Sequence, residues 1–187
     1  DYVVIAGLVR SPMGVFQTLY ADKTQKRWNM PKEEDIANCK VAAIDPYFLE
    51  ETQKAAELCV TYNKPYVTID SNHESYLHKN CEINVVSKEC TEAEAYKGKS
   101  VEEIYTLLTE STNGLVIITR GEKEMLYGRK GQPVKKMKPF FVEVRSTLGA
   151  GDTFKAGCTY GLLKGMSDDE IVRFASACSA IAISRFP

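Results

Sequence analysis

Residues 146–154 read STLGAGDTF, and a helical run, KAGCTYGLL, follows directly. Gly149, Ala150 and Gly151 have almost no side chain, so an anion can approach their backbone N–H groups. The positive end of the following helix dipole would point at the same anion. Asp152 adds a carboxylate, which does not help to bind an anion but can accept the proton of an attacking hydroxyl. This stretch therefore predicts a helix N-terminus that binds phosphate beside a hydroxyl-activating acid.

The same stretch has a purely structural interpretation, which is a tight turn from strand to helix. In that case Asp152 only complements the helix dipole from the first turn. The rest of the chain has to decide between the two interpretations.

Short apolar segments alternate with amphipathic ones along the chain. The apolar segments are residues 41–44, 66–69, 83–86 and 115–118. Helical patterns, such as that of residues 50–62, separate them, which predicts buried parallel strands in an α/β sheet. Ligands of such sheets bind at the carboxyl ends of the strands. We therefore expect Asp70, Ser87, Gly121 and Asp152 to meet at one edge.

Residues before and after these segments have β-like patterns. Residues 124–127 and the residues from 134 onward flank a glycine-containing turn and predict an antiparallel hairpin. Residues 140–144, FFVEV, predict a further strand, and residues 1–30 are also β-like. Three hydroxyl residues precede a Glu by three positions, the pattern of a capping box. They are Thr91, Ser100 and Ser167.

Several polar residues have ordinary structural interpretations. Asp45, followed by Pro46, predicts a turn that ends a strand. Asp70 and Asn72 predict an Asx-type turn, and contact with phosphate or metal through water is the alternative. His73 and His78 are expected in surface loops. Lys155 is expected to face solvent from the helix, although contact with phosphate is the alternative.

The composition of the chain argues against several classes of function. The net charge of −1 gives no electrostatic reason to expect nucleic acid or an anionic membrane as a partner. No apolar run reaches the ~20 residues that a membrane-spanning helix needs. The six cysteines form no Cys-x-x-Cys pair, so we expect reduced thiols and a cytoplasmic protein. Neither histidine lies near a cysteine at the spacing of metal ligands, so we expect no metal site.

Residues 146–154 resemble the C-terminal signature of the ribokinase-like (PfkB) carbohydrate kinase family. Residues 118–121, ITRG, are similar to the family's nucleotide-contacting strand end, and residues 173–182, RFASACSAIA, to its last long helix. Residues 15–27 look like the end of its lid segment. The resemblance implies a three-layer αβα Rossmann-like ribokinase fold with a small β lid.

In that fold, residues 1–30 would be a remnant of the lid and residues 31–187 the nucleotide-binding core. The family's first strand, its sugar motif and much of the lid would precede residue 1. We therefore expect a partial chain, which can be inactive by itself. Lid strands of the family often pair across subunits, which implies a homodimer.

The resemblance also implies an ATP-dependent kinase that phosphorylates a sugar hydroxyl, with Mg²⁺ arriving on ATP. Asp152 would be the catalytic base, and the amides of Gly149, Ala150 and Gly151 would bind the transferred phosphoryl group. The nucleotide would be contacted by Thr119, Gly121, Ser87 and Ser176.

Two positions depart from the family pattern. Where the family often has Asn-x-x-Glu, this chain has Ser87-Lys88-Glu89-Cys90, similar to the Ser-Lys-acid of the ketohexokinase branch. Glu89 could then assist through water. Ser146 replaces the acid that helps to hold a monovalent cation in potassium-dependent members, so potassium activation is not expected.

These departures motivate a second hypothesis, a non-catalytic member that binds a nucleotide or a sugar on the same fold. The intact Gly-Ala-Gly-Asp turn favours the kinase. A Rossmann-type dehydrogenase is disfavoured because no Gly-x-Gly-x-x-Gly follows a first strand. The sequence does not identify the sugar.

Overall fold

The computed structural model describes residues 30–185. Over that range the strands form one six-stranded sheet in the order β1-β2-β3-β4-β5-β6. Strands β1 to β4 are parallel, whereas β5 pairs antiparallel with both β4 and β6. The strands are β1 (Ala42–Ile44), β2 (Tyr66–Ile69), β3 (Ile83–Val86), β4 (Leu115–Ile118), β5 (Met125–Gly128) and β6 (Lys135–Met137).

Helices connect the parallel strands and cover both faces of the sheet. They are α1 (Glu33–Asn38), α2 (Leu49–Thr61), α3 (Tyr76–Asn80), α4 (Lys88–Thr91), α5 (Val101–Ser111), α6 (Ala150–Leu163) and α7 (Asp168–Arg185). Short 3₁₀ turns occupy Pro46–Phe48 and Glu94–Tyr96. No described helix is both long and apolar enough to span a bilayer.

The core is divided by the sheet into two layers. Val67, Ile83 and Ile117 point to one face, where they pack against α6 and α7. Val116 and Ile118 point to the other face, which α5 covers. Helices α2 and α3 cover the β1 end of that second face. The fold is therefore the predicted three-layer αβα arrangement.

The sequence periodicity predicted most of these elements. Every residue of β2, β3 and β4 is buried, because helices cover both faces of the sheet. The two polar residues among them, Thr68 and Asn84, form hydrogen bonds in the interior. The predicted hairpin is β5 and β6. The capping boxes at Ser100 and Ser167 are confirmed, with Glu103 and Glu170 as the returning acids.

Three expectations, about a strand, a helix start and a histidine, were wrong. Residues 140–144 form no strand, and Phe141 is fully exposed, because no neighbouring strand pairs with them in the described range. Thr91 does not start a helix; it is the last residue of α4, and its hydroxyl donates to the carbonyl of Lys88. His78 is fully buried rather than in a surface loop.

The predicted lid remnant, apart from Met30, lies outside the described residues. The division into residues 1–30 and 31–187, and pairing through lid strands, stay predictions.

Candidate functional site

The first turn of α6 has the geometry of an anion site. Gly149 is its N-cap, with φ 74° and ψ 6° in the left-handed region and no side-chain cap. A Cβ at Gly149 would meet nothing within 4 Å, so the backbone conformation, rather than space, favours glycine there. Gly151 and Asp152 are exposed. The Ala150 amide donates to the Thr147 carbonyl at 3.2 Å, but no side chain caps the first turn. The turn therefore presents helix N–H groups and a carboxylate to solvent.

Gly151 lies close to the carboxyl end of β2. A Cβ on Gly151 would be 3.4 Å from Cδ1 of Ile69. The start of α6 thus sits over the edge where the parallel strands end, as the α/β architecture predicts.

Asp70 follows β2 and connects it to the end of β3. Its Oδ1 accepts a hydrogen bond from the Ser87 amide at 2.7 Å. Asp70 has φ 50°, a left-handed conformation that Asp tolerates better than most residues. Burial raises the pKa of the Asp70 carboxyl, the Ser87 hydrogen bonds lower it, and the charges of Glu89 and Asp152 raise it further. Asp70, Ser87 and Asp152 therefore do meet at one edge.

Ser87 has a structural task at this edge. Its hydroxyl caps α4 by accepting the Cys90 amide at 3.1 Å. The thiol of Cys90 in turn donates to the carbonyl of Asp70 at 3.7 Å. The neighbouring Asn72 forms the predicted Asx-type turn, since its Oδ1 accepts from the amides of Glu74 and Ser75 at 3.0 Å each.

The predicted nucleotide residues lie on two elements. Thr119 follows β4, and its amide and hydroxyl both donate to the Val86 carbonyl, at 2.8 and 3.3 Å. Gly121 follows in an exposed turn with φ 62°. Ser176 lies within α7 and is only 4% exposed. Thr119 is thus adjacent to the end of β3, near Ser87.

Lys155 is not the solvent-facing lysine that the sequence predicted. It is 8% exposed, and its Nζ forms an ion pair with Oδ1 of Asp45, directly after β1. The signal was available in part, because the neighbouring Phe154 and Cys158 are apolar and lie on the same buried side of α6. The pattern could not identify Asp45 as the partner.

Tyr47 and Ser179 also reach this edge, and sequence reasoning missed both. Burial raises the pKa of Tyr47, and so do the charges of Asp70, Asp45 and Asp152 in that order. The Tyr47 phenol is thus close to these carboxylates. Ser179 on α7 donates its hydroxyl to the Ala150 carbonyl at 3.1 Å and so contacts the first turn of α6.

Acids dominate this edge, yet they do not form a metal cage. Among residues 30–185 no group of three or more His, Cys, Asp or Glu side chains could hold a metal ion.

The family model for pfkB family carbohydrate kinases matches residues 29–186. The chain belongs to this family. A ribokinase from Haemophilus influenzae is 33% identical over 109 residues, which is 55% of this chain and 35% of the relative. A 1-phosphofructokinase from the same organism is 41% identical over 101 residues, 50% of this chain and 32% of the relative. The chain thus spans about a third of the length of these curated relatives.

Solved structures of the family show the same fold. A ribokinase from Arabidopsis thaliana, complexed with ribose and ATP, superposes with a TM-score of 0.72 at 18% identity. The match covers 87% of this chain and 56% of that one. The ribokinase fold that the sequence predicted is therefore confirmed for the matched part.

Proposed function

We propose that the protein containing this chain is an ATP-dependent kinase that phosphorylates a hydroxyl of a sugar or sugar-derived alcohol. The observation that carries the proposal is the uncapped first turn of α6, with Gly149 in the left-handed conformation and Asp152 exposed beside it. Membership of a carbohydrate kinase family supports it.

In the proposed reaction the acceptor hydroxyl attacks the γ-phosphorus of ATP. A bond forms from the sugar oxygen to phosphorus, and the bond from phosphorus to the β–γ bridging oxygen breaks, so that ADP leaves. Asp152 takes the hydroxyl proton. The amides at the start of α6 donate to the oxygens of the transferred phosphoryl group, where they stabilise charge without reorganising.

A carboxylate is a sufficient base for this chemistry. Phosphoryl transfer passes through a loose transition state, in which the attacking oxygen has formed little bond to phosphorus. Asp152 therefore has to orient the hydroxyl and accept its proton late, rather than deprotonate it beforehand.

Mg²⁺ would neutralise phosphate charge when it accompanies ATP. Carboxylate oxygens are the ligands that Mg²⁺ prefers, and Asp70 is within the electrostatic influence of both Glu89 and Asp152, although these residues form no ready-made cage of three ligands. Mg²⁺ would be held mainly by the nucleotide phosphates, with these carboxylates acting directly or through water. The predicted nucleotide contacts at Thr119, Gly121, Ser87 and Ser176 are part of this proposal.

The test is ADP release by the full-length protein with a panel of sugars and sugar phosphates. Asp152→Asn should lower kcat by ~10²–10⁴-fold, the usual contribution of a positioned base, with the KM for ATP nearly unchanged. Asp35→Asn on the exposed α1 is the matched control, and it should turn over normally. Near-normal turnover of Asp152→Asn would refute the assigned mechanism.

A second candidate is a member that binds a nucleotide or sugar without turnover. The observation that favours it is the Ser87 hydroxyl, which is engaged in capping α4 instead of standing free for phosphate or metal. ATP binding to the wild-type protein without ADP release on any sugar of the panel would favour this candidate over the kinase.

A further inference from the structure

Lys155 is a buried cation one turn after Asp152. Its side chain is 10% exposed and that of Asp45 is 33% exposed. A buried ammonium is unfavourable unless it is paired, and within residues 30–185 the ion pair that Lys155 forms is the one with Asp45. The partners are 110 positions apart in the sequence, so the pair is a purely tertiary contact.

Asp45 offers a fixed point of attachment. It lies between β1 and the Pro46–Phe48 turn. Its carbonyl accepts the hydroxyl of Thr52 at 2.6 Å, and the same hydroxyl accepts the Phe48 amide at 3.2 Å. The sheet and α2 thus both hold Asp45 in place, and the ion pair extends this support to α6.

The start of α6 has few other polar attachments. Gly149 has no side chain with which to cap the helix, and Gly151 lies close to the apolar side chain of Ile69. The hydroxyl of Ser179 reaches the Ala150 carbonyl from α7. Of these contacts, the ion pair is the one that ties α6 to the β1 side of the sheet edge.

We propose that the Lys155–Asp45 ion pair positions the phosphate site. It holds the first two turns of α6 so that the amides of residues 149–151 and the Asp152 carboxylate face the carboxyl ends of the strands. Lys155 acts through Asp45 and touches no substrate. The ligand's identity rests on the proposed function, whereas the positioning role does not.

The rival explanation is that Lys155 binds phosphate directly. The two explanations differ in what Asp45 does. A positioning pair needs both partners, so loss of either charge has the same effect. A lysine that contacts phosphate is indifferent to Asp45, or binds phosphate better once Asp45 is neutral.

The experiment compares Lys155→Met, Asp45→Asn and the double variant in the full-length protein. Hydrogen exchange of residues 152–156 is measured without ligand, relative to residues 104–108 in α5. The affinity for inorganic phosphate is measured from the amide signals of Gly149 and Gly151 in protein labelled with ¹⁵N-glycine. Lys164→Met is the matched control, because Lys164 is the C-cap of the same helix and its ammonium lies over the exposed Tyr160 ring.

Each single variant should speed exchange in the first turns of α6 by about tenfold or more, and weaken phosphate binding by about tenfold, while α5 is unchanged. The double variant should be no worse than either single one, because the two losses share one interaction. Since it leaves no unpaired buried charge, it also serves if a single variant does not fold. Lys164→Met should match the wild type.

Equal acceleration in α5 and α6 would mean a merely structural pair and would overturn the proposal. So would wild-type phosphate affinity in Asp45→Asn or in the double variant. If the wild type itself binds no phosphate at these amides, the proposed function loses its anion site. The exchange pattern still decides the positioning role in that case.

Discussion

His78 is fully buried and joins α3 to α5 and β3. Its Nε2 lies 2.9 Å from the Leu108 carbonyl, and its Nδ1 lies 2.8 Å from Nδ2 of Asn84. The Asn84 amide group also donates to the Ser71 carbonyl at 2.7 Å. A neutral ring with its proton on Nε2 satisfies both neighbours, because Nδ1 can then accept from Asn84. The ring is thus held neutral beside the turn that follows Asp70.

This burial predicts acid sensitivity. Desolvation lowers the pKa of His78 below its ordinary 6.5. The hydrogen bond to the Leu108 carbonyl raises this pKa, but the effect of desolvation is larger. The unfolded chain therefore binds a proton at a higher pH than the folded one does. The free energy of unfolding should be unaffected by His78 above about pH 6.5, and should fall by up to ~1.4 kcal/mol per pH unit below it, until the folded pKa is reached.

Urea unfolding between pH 8 and pH 5, together with NMR of the His78 ring, checks this prediction. His73→Gln is the control, because His73 is only half-buried beside Tyr96 and the acid-side loss should persist without it. A His78 ring that is protonated at pH 6 in the folded protein would contradict the prediction.

At the scale of elements, α5 begins with a complete capping box. The Ser100 hydroxyl accepts the Glu103 amide at 3.2 Å, and Oε2 of Glu103 accepts the Ser100 amide at 2.7 Å. Two of the amide groups that a helix start leaves unpaired are satisfied in this way. The cap also sets the register in which Ile104 and Leu108 point into the core beneath β4.

Ser100→Ala should therefore lower the free energy of unfolding by about 1 kcal/mol, the usual cost of losing an N-cap hydroxyl. Thr106→Ala is the control on the same helix. Its hydroxyl only returns to the Glu102 carbonyl at an exposed position, and alanine is the better helix former. Chemical denaturation of both variants measures the difference, and equal stabilities would argue against the cap.

Helices α6 and α7 form the closest pair of elements near the candidate site. A Cβ on Gly157 would lie 2.7 Å from Cα of Ala175, so glycine is needed where the two backbones approach. This close approach brings Ser179 to the first turn of α6. The position of the site thus depends on helix packing as well as on the local turn.

At the scale of the whole molecule, Arg129 joins three distant segments. From the end of β5 its guanidinium binds both carboxylate oxygens of Asp168 at 2.8 and 2.9 Å, and it pairs with Glu82 at 2.8 Å. These contacts raise the pKa of Arg129, and the hydrogen bonds to Asp168 are the largest cause. The hairpin, the start of β3 and the start of α7 are thereby held together.

Arg129→Met should lower the free energy of unfolding by about 2 kcal/mol, between the values for exposed and buried ion pairs, since the three side chains are partly exposed. The exposed Lys97–Glu94 pair provides the control, and Lys97→Met should leave stability unchanged. Urea denaturation compares them, and equal midpoints would show that the Arg129 contacts add nothing to stability.

The sequence by itself determined the α/β class and the glycine-rich turn that begins α6. Strands β2 to β4 could be predicted because burial on both faces requires a short, mostly apolar run, which is a property of four consecutive residues. The turn at Gly149 was readable because a left-handed N-cap and small neighbours are local requirements. Both features depend on residues that are adjacent along the chain.

Only the tertiary structure decided which distant side chains meet. Lysine is typical of solvent-facing positions, and Lys155 is buried only because Asp45 pairs with it. His78 can lie in the core because Asn84 and the Leu108 carbonyl form hydrogen bonds with its ring. Residues 140–144 have a strand-like pattern, but hydrogen bonding across a sheet needs a neighbour that the pattern does not specify. Local propensity depends on adjacent residues, whereas partner choice depends on how separate elements pack.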